Sequence, residues 1–234
     1  PNCSYPTAIM LDSNSESFSR FVQQSPAGHQ EALRLAANLG WKKDKHSAEQ
    51  IEKTLEWIYT IDAFACHFLT DLFSAGHMRT PRKALYEMRS DFARSGYPAQ
   101  VTGYLAKVMH DEDSKNGLLV TNAKNMEWKA YGDKKLLDTD DRTNDHIAQK
   151  AVQASANDIW TAFESHEEPT HYEALSLIPD LGDVENPLNK QNNAALFVPR
   201  PDRVVDCRKP MLDTHSYHWD NDWWIEQVVR NFGL

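Results

Sequence analysis

The chain has few glycines, few cysteines and no long hydrophobic run. Its 234 residues include only 9 Gly. Ala, Leu, Glu, Gln and Lys are abundant while runs of Val, Ile and Thr are rare, which favours helices over sheets. No apolar run approaches the roughly 20 residues that a membrane-spanning helix needs, so we expect no transmembrane segment. The 3 cysteines are too few for a disulfide framework and too scattered for a zinc knuckle.

Positive charge is also scarce. The chain has 25 basic and 34 acidic residues, a formal net charge of -9, which argues against binding nucleic acid or an anionic membrane through bulk electrostatics. A bound metal would still supply local positive charge for a phosphate. An architectural nucleic-acid binder is therefore disfavoured more than an enzyme that acts on phosphate esters. No signal peptide opens the chain at Pro1, so we expect a processed or partial chain.

Length and composition predict a single domain over residues 1–234, with 41% hydrophobic and 25% charged residues. The fold class that we predict is all-α: a multi-helix body, a small excursion with β character and an irregular C-terminal segment that wraps the body. The excursion covers 118–131, and the wrap, rich in Pro, Asn and Asp, covers 165–217. Apolar spacing predicts helices over 13–24, 29–39, from Ser47 through His67 towards Gly76, and over 97–109 and 143–164, with a break at 25–28.

One stretch, residues 66–82, carries side chains suited to metal chemistry. His67, Asp71 and His77 lie within eleven residues of one another. If the segment is helical, His67 and Asp71 stand one turn apart on the same face and can share one cation. Gly76 allows the helix to end or bend, so that His77 can face a second ion.

An aspartate between two histidines is the arrangement that a pair of closely spaced zinc ions uses. Imidazoles fill separate metals, and a carboxylate can bridge them. The alternative interpretation is an amphipathic helix in which His67 is a satisfied core histidine, Asp71 pairs with an arginine and His77 lies on the surface.

Basic residues follow this stretch. A phosphate held by metals leaves oxygen atoms for a guanidinium fork. Arg79 and Arg82 are nearest in sequence, so we predict that they bind substrate. Surface charge on a helix is the alternative.

Two further histidines are candidate ligands. His110 ends a predicted helix and precedes three acidic residues, so it could bind a second metal together with Asp113 or Glu112. The stretch lacks the closing glutamate of a calcium-binding loop. His29, near the start of its helix, is either a ligand on a rigid element or a structural residue.

The spacing His-x3-Asp-x5-His resembles that of the zinc-dependent phospholipase C and P1 nuclease superfamily. The string His-Phe-Leu-Thr-Asp-Leu-Phe-Ser-Ala-Gly-His-Met-Arg-Thr-Pro-Arg over 67–82 is similar to the branch of bacterial phospholipases C found in Pseudomonas and Legionella. His-Asp-Glu-Asp over 110–113 and Tyr-Gly-Asp over 131–133 add to this resemblance. The superfamily places an acid four residues beyond its second histidine, where this chain has Ser114.

The resemblance implies an all-helical fold that binds two or three Zn²⁺ ions. Carried over to this chain, His67 and Asp71 belong to one site, and His77, His110 and Asp113 form the other. His29 would be the ligand from a preceding helix.

The resemblance further implies a secreted or exported phosphodiesterase. Its expected substrate is a phosphatidylcholine-like lipid, which metal-activated water cleaves to diacylglycerol and a phosphorylated head group with transient contact to a membrane surface, and without nucleic acid as a partner. The alternatives are a P1-like single-strand nuclease with the same metals, and a helical binding or effector protein with a structural zinc site.

Overall fold

The computed structural model describes residues 16–98, 100–133, 135–181 and 192–233, the first twelve of them by backbone alone. Of these residues, 58% are helical and 9% lie in strands, so the fold is mostly α. No helix within the described ranges is both long and apolar enough to cross a bilayer. The helices are α1 Glu16–Trp41, α2 Ala48–Asp71, α3 Ala75–Met78, α4 Arg82–Glu87, α5 Arg89–Arg94, α6 Val101–Asn116, α7 Arg142–Ser165, α8 Glu173–Leu177 and α9 Ile225–Phe232. The strands are β1 Leu118–Thr121, β2 Glu127–Ala130, β3 Phe197–Pro199, β4 Val205–Arg208 and β5 Trp219–Asp220, and 3-10 turns cover Lys43–Lys45 and Thr139–Asp141.

Three long helices, α1, α2 and α7, pack together. The inner face of α1 carries Ala32, Leu33 and Ala36, none of which is exposed to solvent, and it meets Ile58 of α2 and Ile159 of α7. Fully burying a Leu or Ile side chain contributes about 1.5–3 kcal/mol relative to leaving it exposed. Burial of these faces therefore holds the three helices as one layer.

The break predicted at residues 25–28 does not occur, because α1 is continuous. A Cβ at Gly28 would lie 3.2 Å from Cβ of Ala65, so the glycine lets α1 approach α2 closely. Glycine and proline favour a break locally. In α1 the packing against α2 outweighs that local preference.

The long helix that carries His67 and Asp71 is confirmed. The predicted capping box begins it, since Ser47 Oγ accepts from Gln50 N at 3.3 Å and Gln50 Oε1 accepts from Ser47 N at 2.9 Å. Such a cap satisfies two backbone donors that would otherwise lack partners at the helix start. Helix α2 then runs for 24 residues and ends at Asp71.

The predicted β excursion is an antiparallel hairpin of β1 and β2, with Leu118 opposite Ala130. Asn144 of α7 joins this hairpin to the turn after α2. Its side chain accepts a hydrogen bond from Trp128 Nε1 and donates one to the carbonyl of Phe73, both at 2.9 Å. Asn144 thus holds strand β2 next to the turn that follows α2.

The C-terminal segment packs on α6. Strands β3, β4 and β5 form an antiparallel sheet, and Phe197 and Trp223 are buried together with Leu105 of α6. The predicted wrap over 165–217 therefore contains α8 and parts of a small sheet between irregular turns. Its residues 182–191 lie outside the described residues.

Candidate metal centre

Gly76 brings α3 into direct contact with α6. A Cβ at this position would lie 2.5 Å from His110 Cδ2 and 2.7 Å from the His110 carbonyl oxygen, so a larger residue cannot occupy the site without a shift of backbone. The close approach places the His77 ring against the His110 ring, with centroids 5.1 Å apart. The helix that carries His67 ends at Asp71, before Gly76, so the glycine lies inside α3 and serves contact with the helix that bears His110.

Gly132 makes a similar approach from the segment after β2. A Cβ on Gly132 would lie 2.6 Å from the Cα of Ser114, and the Gly132 amide donates to the Ser114 carbonyl at 3.0 Å. This contact places Asp133 next to His77 and His110. The small side chain of Ser114 permits this contact at the position where the resembled superfamily has an acid.

His77, His110 and Asp133 converge, with one ligand atom from each lying within 4.8 Å of the others. His77 Nε2 lies 3.8 Å from Asp133 Oδ1, and His110 Nε2 lies 3.5 Å from Asp133 Oδ2. Ligands about 2.0–2.2 Å from one tetrahedral zinc are about 3.3–3.6 Å apart. The His110 separation lies in this range and the His77 separation lies slightly above it. Two imidazoles and a carboxylate also form a donor set that zinc uses in catalytic sites.

The surroundings of the two histidines differ. His110 Nδ1 lies 3.1 Å from Asp111 Oδ1, a contact that fixes the proton on Nδ1 and directs the Nε2 lone pair towards Asp133. Burial lowers the pKa of His77. The charges of Asp71 and Asp133 oppose this effect, while those of His110 and Arg82 add to it. His77 is consequently neutral at neutral pH, as a zinc ligand must be.

The centre is open on one side. The side chains of His77 and His110 are 19% and 11% exposed, whereas that of Asp133 is 55% exposed. Ser74 Oγ donates to Asp133 Oδ1 at 3.1 Å and so restrains this exposed carboxylate. A substrate from solution would approach from the Asp133 side.

Asp71 lies beside this centre and His67 lies farther out. Asp71 Oδ2 is 3.9 Å from His77 Nδ1. His67 is exposed on α2, and its ring contacts Phe68 with centroids 5.3 Å apart. Within the described ranges, these two residues have no third metal-binding side chain close enough to complete a second group.

His29 lies in the core and not with the other histidines. Its Nδ1 is 2.6 Å from Asp62 Oδ1 and 3.1 Å from Ser155 Oγ. Burial alone would lower the pKa of His29, but Asp158 and Asp62 outweigh it and raise the pKa to about 9. A protonated imidazole does not bind metal. The prediction of His29 as a ligand is therefore corrected to a structural ion pair.

Asp113 and Arg79 are paired with each other. Arg79 Nε donates to Asp113 Oδ2 at 2.9 Å, and Arg79 Nη2 donates to Asp113 Oδ1 at 2.6 Å. Both carboxylate oxygens are engaged, so the structure directs Asp113 away from His110 and leaves Arg79 without a free fork for substrate. Glu112, the other acid considered for His110, is bound in the same way by Arg208 at 2.9 and 2.8 Å.

Asp133 is the member of this group that sequence reasoning did not assign. The available signal was Tyr-Gly-Asp at 131–133, directly after the β excursion. His110 was expected at a helix end, but α6 continues to Asn116, so the acids that follow it point in different directions around the helix. The charge of Arg82 helps to lower the pKa of His77, and substrate binding by Arg82 stays a prediction.

Comparisons with protein-family models, with curated proteins and with solved structures found no match. The function is therefore inferred from the geometry of the centre and from the resemblance in sequence.

Proposed function

We propose that this protein is a zinc-dependent phosphodiester hydrolase of the phospholipase C type, with a phosphatidylcholine-like lipid as its substrate. The observation that carries the proposal is the convergence of His77, His110 and Asp133 from three separate segments. Close backbone contacts at Gly76 and Gly132 hold those three segments together.

The residues of the centre fit a zinc ion. His77 and His110 would bind it through Nε2, and the Asp133 carboxylate would complete the protein ligands. Asp111 would hold a proton on His110 Nδ1 at 3.1 Å, whereas Asp71 lies 3.9 Å from His77 Nδ1 and acts on it through charge. When bound, zinc supplies a Lewis acid for the phosphodiester and lowers the pKa of water towards neutrality.

Arg82 would supply positive charge near the centre for a bound phosphate. Its charge reaches His77, and within the described residues it forms no salt bridge, which leaves the guanidinium available for a phosphate oxygen. His67 and Asp71, four residues apart on α2, would hold a second ion, as the resemblance implies. The proposal of two or three zinc ions depends on these two residues.

An exposed aromatic residue on α2 supports a lipid substrate. Phe64 is 68% exposed and lies one turn from the partly buried Phe68, with ring centroids 5.5 Å apart. Phe68 in turn contacts His67. An exposed apolar side chain on the helix that carries His67 and Asp71 suits contact with acyl chains or a membrane surface.

Zinc content and hydrolysis by the same preparation test the proposal. We expect at least one zinc per chain by elemental analysis, and release of phosphorylated head group from phosphatidylcholine in mixed micelles. His77→Ala should lose one zinc and at least about 100-fold in activity, because it removes a ligand. His146→Ala, at an exposed position on α7, is the matched control and should change neither.

Three results would contradict the proposal or favour one of its alternatives. Zinc-free protein contradicts every metal-dependent function. Bound zinc without hydrolysis favours a binding protein with a structural site. Hydrolysis of single-stranded DNA or RNA with no action on micelles assigns the centre to a P1-like nuclease.

A further inference from the structure

Arg79 and Asp113 are buried side chains within three residues of two proposed ligands. The Arg79 side chain is 8% exposed and that of Asp113 is 1% exposed. Arg79 Nη1 also donates to the Asn193 carbonyl at 2.9 Å. The guanidinium thus contacts α6 and the C-terminal segment while it is attached to the segment that bears His77.

The pair connects the same two segments as the histidines. Arg79 follows His77 by two residues and Asp113 follows His110 by three, so each partner lies within about one turn of a ligand. Gly76 contacts α6 on one side of His77, and Arg79 contacts it on the other. Contacts on both sides fix the position and the rotation of the backbone that carries the His77 ring.

Arg208 and Glu112 provide an internal comparison. They form a second bidentate pair on the same helix, with the Arg208 side chain fully buried. Arg208 otherwise donates to the carbonyls of Ala194 and Met211, in the C-terminal segment. This pair therefore anchors the C-terminal segment to α6 without touching α3.

We infer that Arg79, through Asp113, is the positioning residue that holds His77 and His110 at the separation needed to share a metal ion. The inference rests on the proposed metal centre and gives Arg79 a role other than substrate contact. A bidentate arginine suits this role because its planar fork fixes direction as well as distance. Lysine at the same position would keep the charge and lose the orientation.

Cobalt titration of paired variants tests this inference. In Arg79→Gln/Asp113→Asn both charges are removed together, so that no unpaired charge stays buried. Arg208→Gln/Glu112→Gln is the matched control on α6, and Arg79→Lys is a variant that retains the charge. Each protein is titrated with Co²⁺, followed by visible absorption, at a temperature where circular dichroism shows it folded.

We expect both double variants to be less stable than the wild type. Only the Arg79/Asp113 variant should also bind Co²⁺ about 10–100-fold more weakly, the usual effect of losing a group that orients a ligand. Arg79→Lys should fall between it and the wild type. Unchanged Co²⁺ affinity, or equal losses in the two double variants, would overturn the inference. If the Arg79 variants had a raised KM for lipid and an unchanged Co²⁺ affinity, Arg79 would be a substrate-binding residue and not a positioning residue.

A second measurement needs no metal. In the metal-free protein, NMR should detect nuclear Overhauser contacts between the rings of His77 and His110, whose centroids lie 5.1 Å apart. These contacts should persist in the Arg208/Glu112 control and disappear in the Arg79/Asp113 variant. Absence of Co²⁺ binding by the wild type would refute the proposed function, while contacts that persist in the Arg79/Asp113 variant would refute the positioning role alone.

Discussion

At the residue scale, Gly76 decides how closely the two histidine-bearing segments can approach. An added Cβ would meet the backbone of His110, which cannot move as freely as a side chain. Gly76→Ala should therefore destabilise the protein by about 1–3 kcal/mol, the usual cost of overpacking, and weaken metal binding because the His77 ring is displaced. Chemical denaturation and Co²⁺ titration measure the two effects.

Gly103 is the natural control for this substitution. It lies in α6, and nothing is within 4 Å of the position that its Cβ would occupy. Gly103→Ala should stabilise the protein by about 0.5–1 kcal/mol, because alanine loses less backbone entropy in a helix. A similar loss of stability in both variants would show that the Gly76 contact is not what the substitution disturbs.

The sequence indicated only in part which side chains lie together at the candidate site. His77 and His110 come together, as the resemblance implied. Asp113, which the resemblance placed with them, faces Arg79 instead. A side chain on a helix can point to only one side, and the position of the neighbouring segments decides whether that side holds a metal or an arginine. Only the tertiary structure contains that information.

At the scale of helices, His29 joins three elements through charge. It lies on α1, its Nδ1 contacts Asp62 of α2, and its Nε2 lies 3.8 Å from Asp158 Oδ2 of α7. Ser155 of α7 donates to Asp62 at 2.9 Å. A protonated His29 between two aspartates thus connects the helices that form the largest helical layer.

This arrangement predicts a pH-dependent stability. The pKa of His29 is raised from 6.5 to about 9 in the folded protein, so its contribution is fully present below pH 6.5 and is lost as the pH rises through about 9. The contribution is roughly 3 kcal/mol, at 1.36 kcal/mol for each pH unit. Urea denaturation of the wild type and of His29→Gln between pH 6 and pH 10 measures it.

The difference in unfolding free energy between the two proteins should be largest at pH 6 and small at pH 10. A difference that does not change with pH would mean that His29 is neutral in the folded state. His146→Gln, at an exposed position on α7, controls for the general effect of removing a histidine.

Helices were predictable where their signals are local. The capping box of α2 and the apolar spacing of α7 identified both helices. Both signals depend only on residues that are near one another in sequence. The course of α1 through residues 25–28 was not predictable. It depends on the contact between Gly28 and Ala65, which α2 supplies from 37 positions further along the chain.

At the scale of the whole molecule, Arg208 connects the C-terminal segment to the helix that carries His110. Glu112 is 96 positions away from it in sequence. No local sequence pattern shows that Arg208 and Glu112 form a pair. From the sequence alone, the acids after His110 look like metal ligands, and only the structure shows that Arg208 binds Glu112. The mostly helical class followed from composition, whereas the way in which the last 42 described residues, 192–233, attach to the body did not.

Removal of Arg208 should release this attachment. Arg208→Met leaves the Glu112 carboxylate, whose side chain is 12% exposed, without its partner, and breaking a buried pair costs about 3–5 kcal/mol. Glu112→Gln in the same chain should recover part of the loss, because the unpaired charge is then gone. Urea denaturation of the two single variants and the double variant gives the coupling energy.

Hydrogen exchange should show faster opening of residues 192–233 than of α1 and α7 in Arg208→Met. Uniform opening of all helices would instead mean that the C-terminal segment and the helical body unfold as one unit, with the Arg208–Glu112 pair contributing to their common stability.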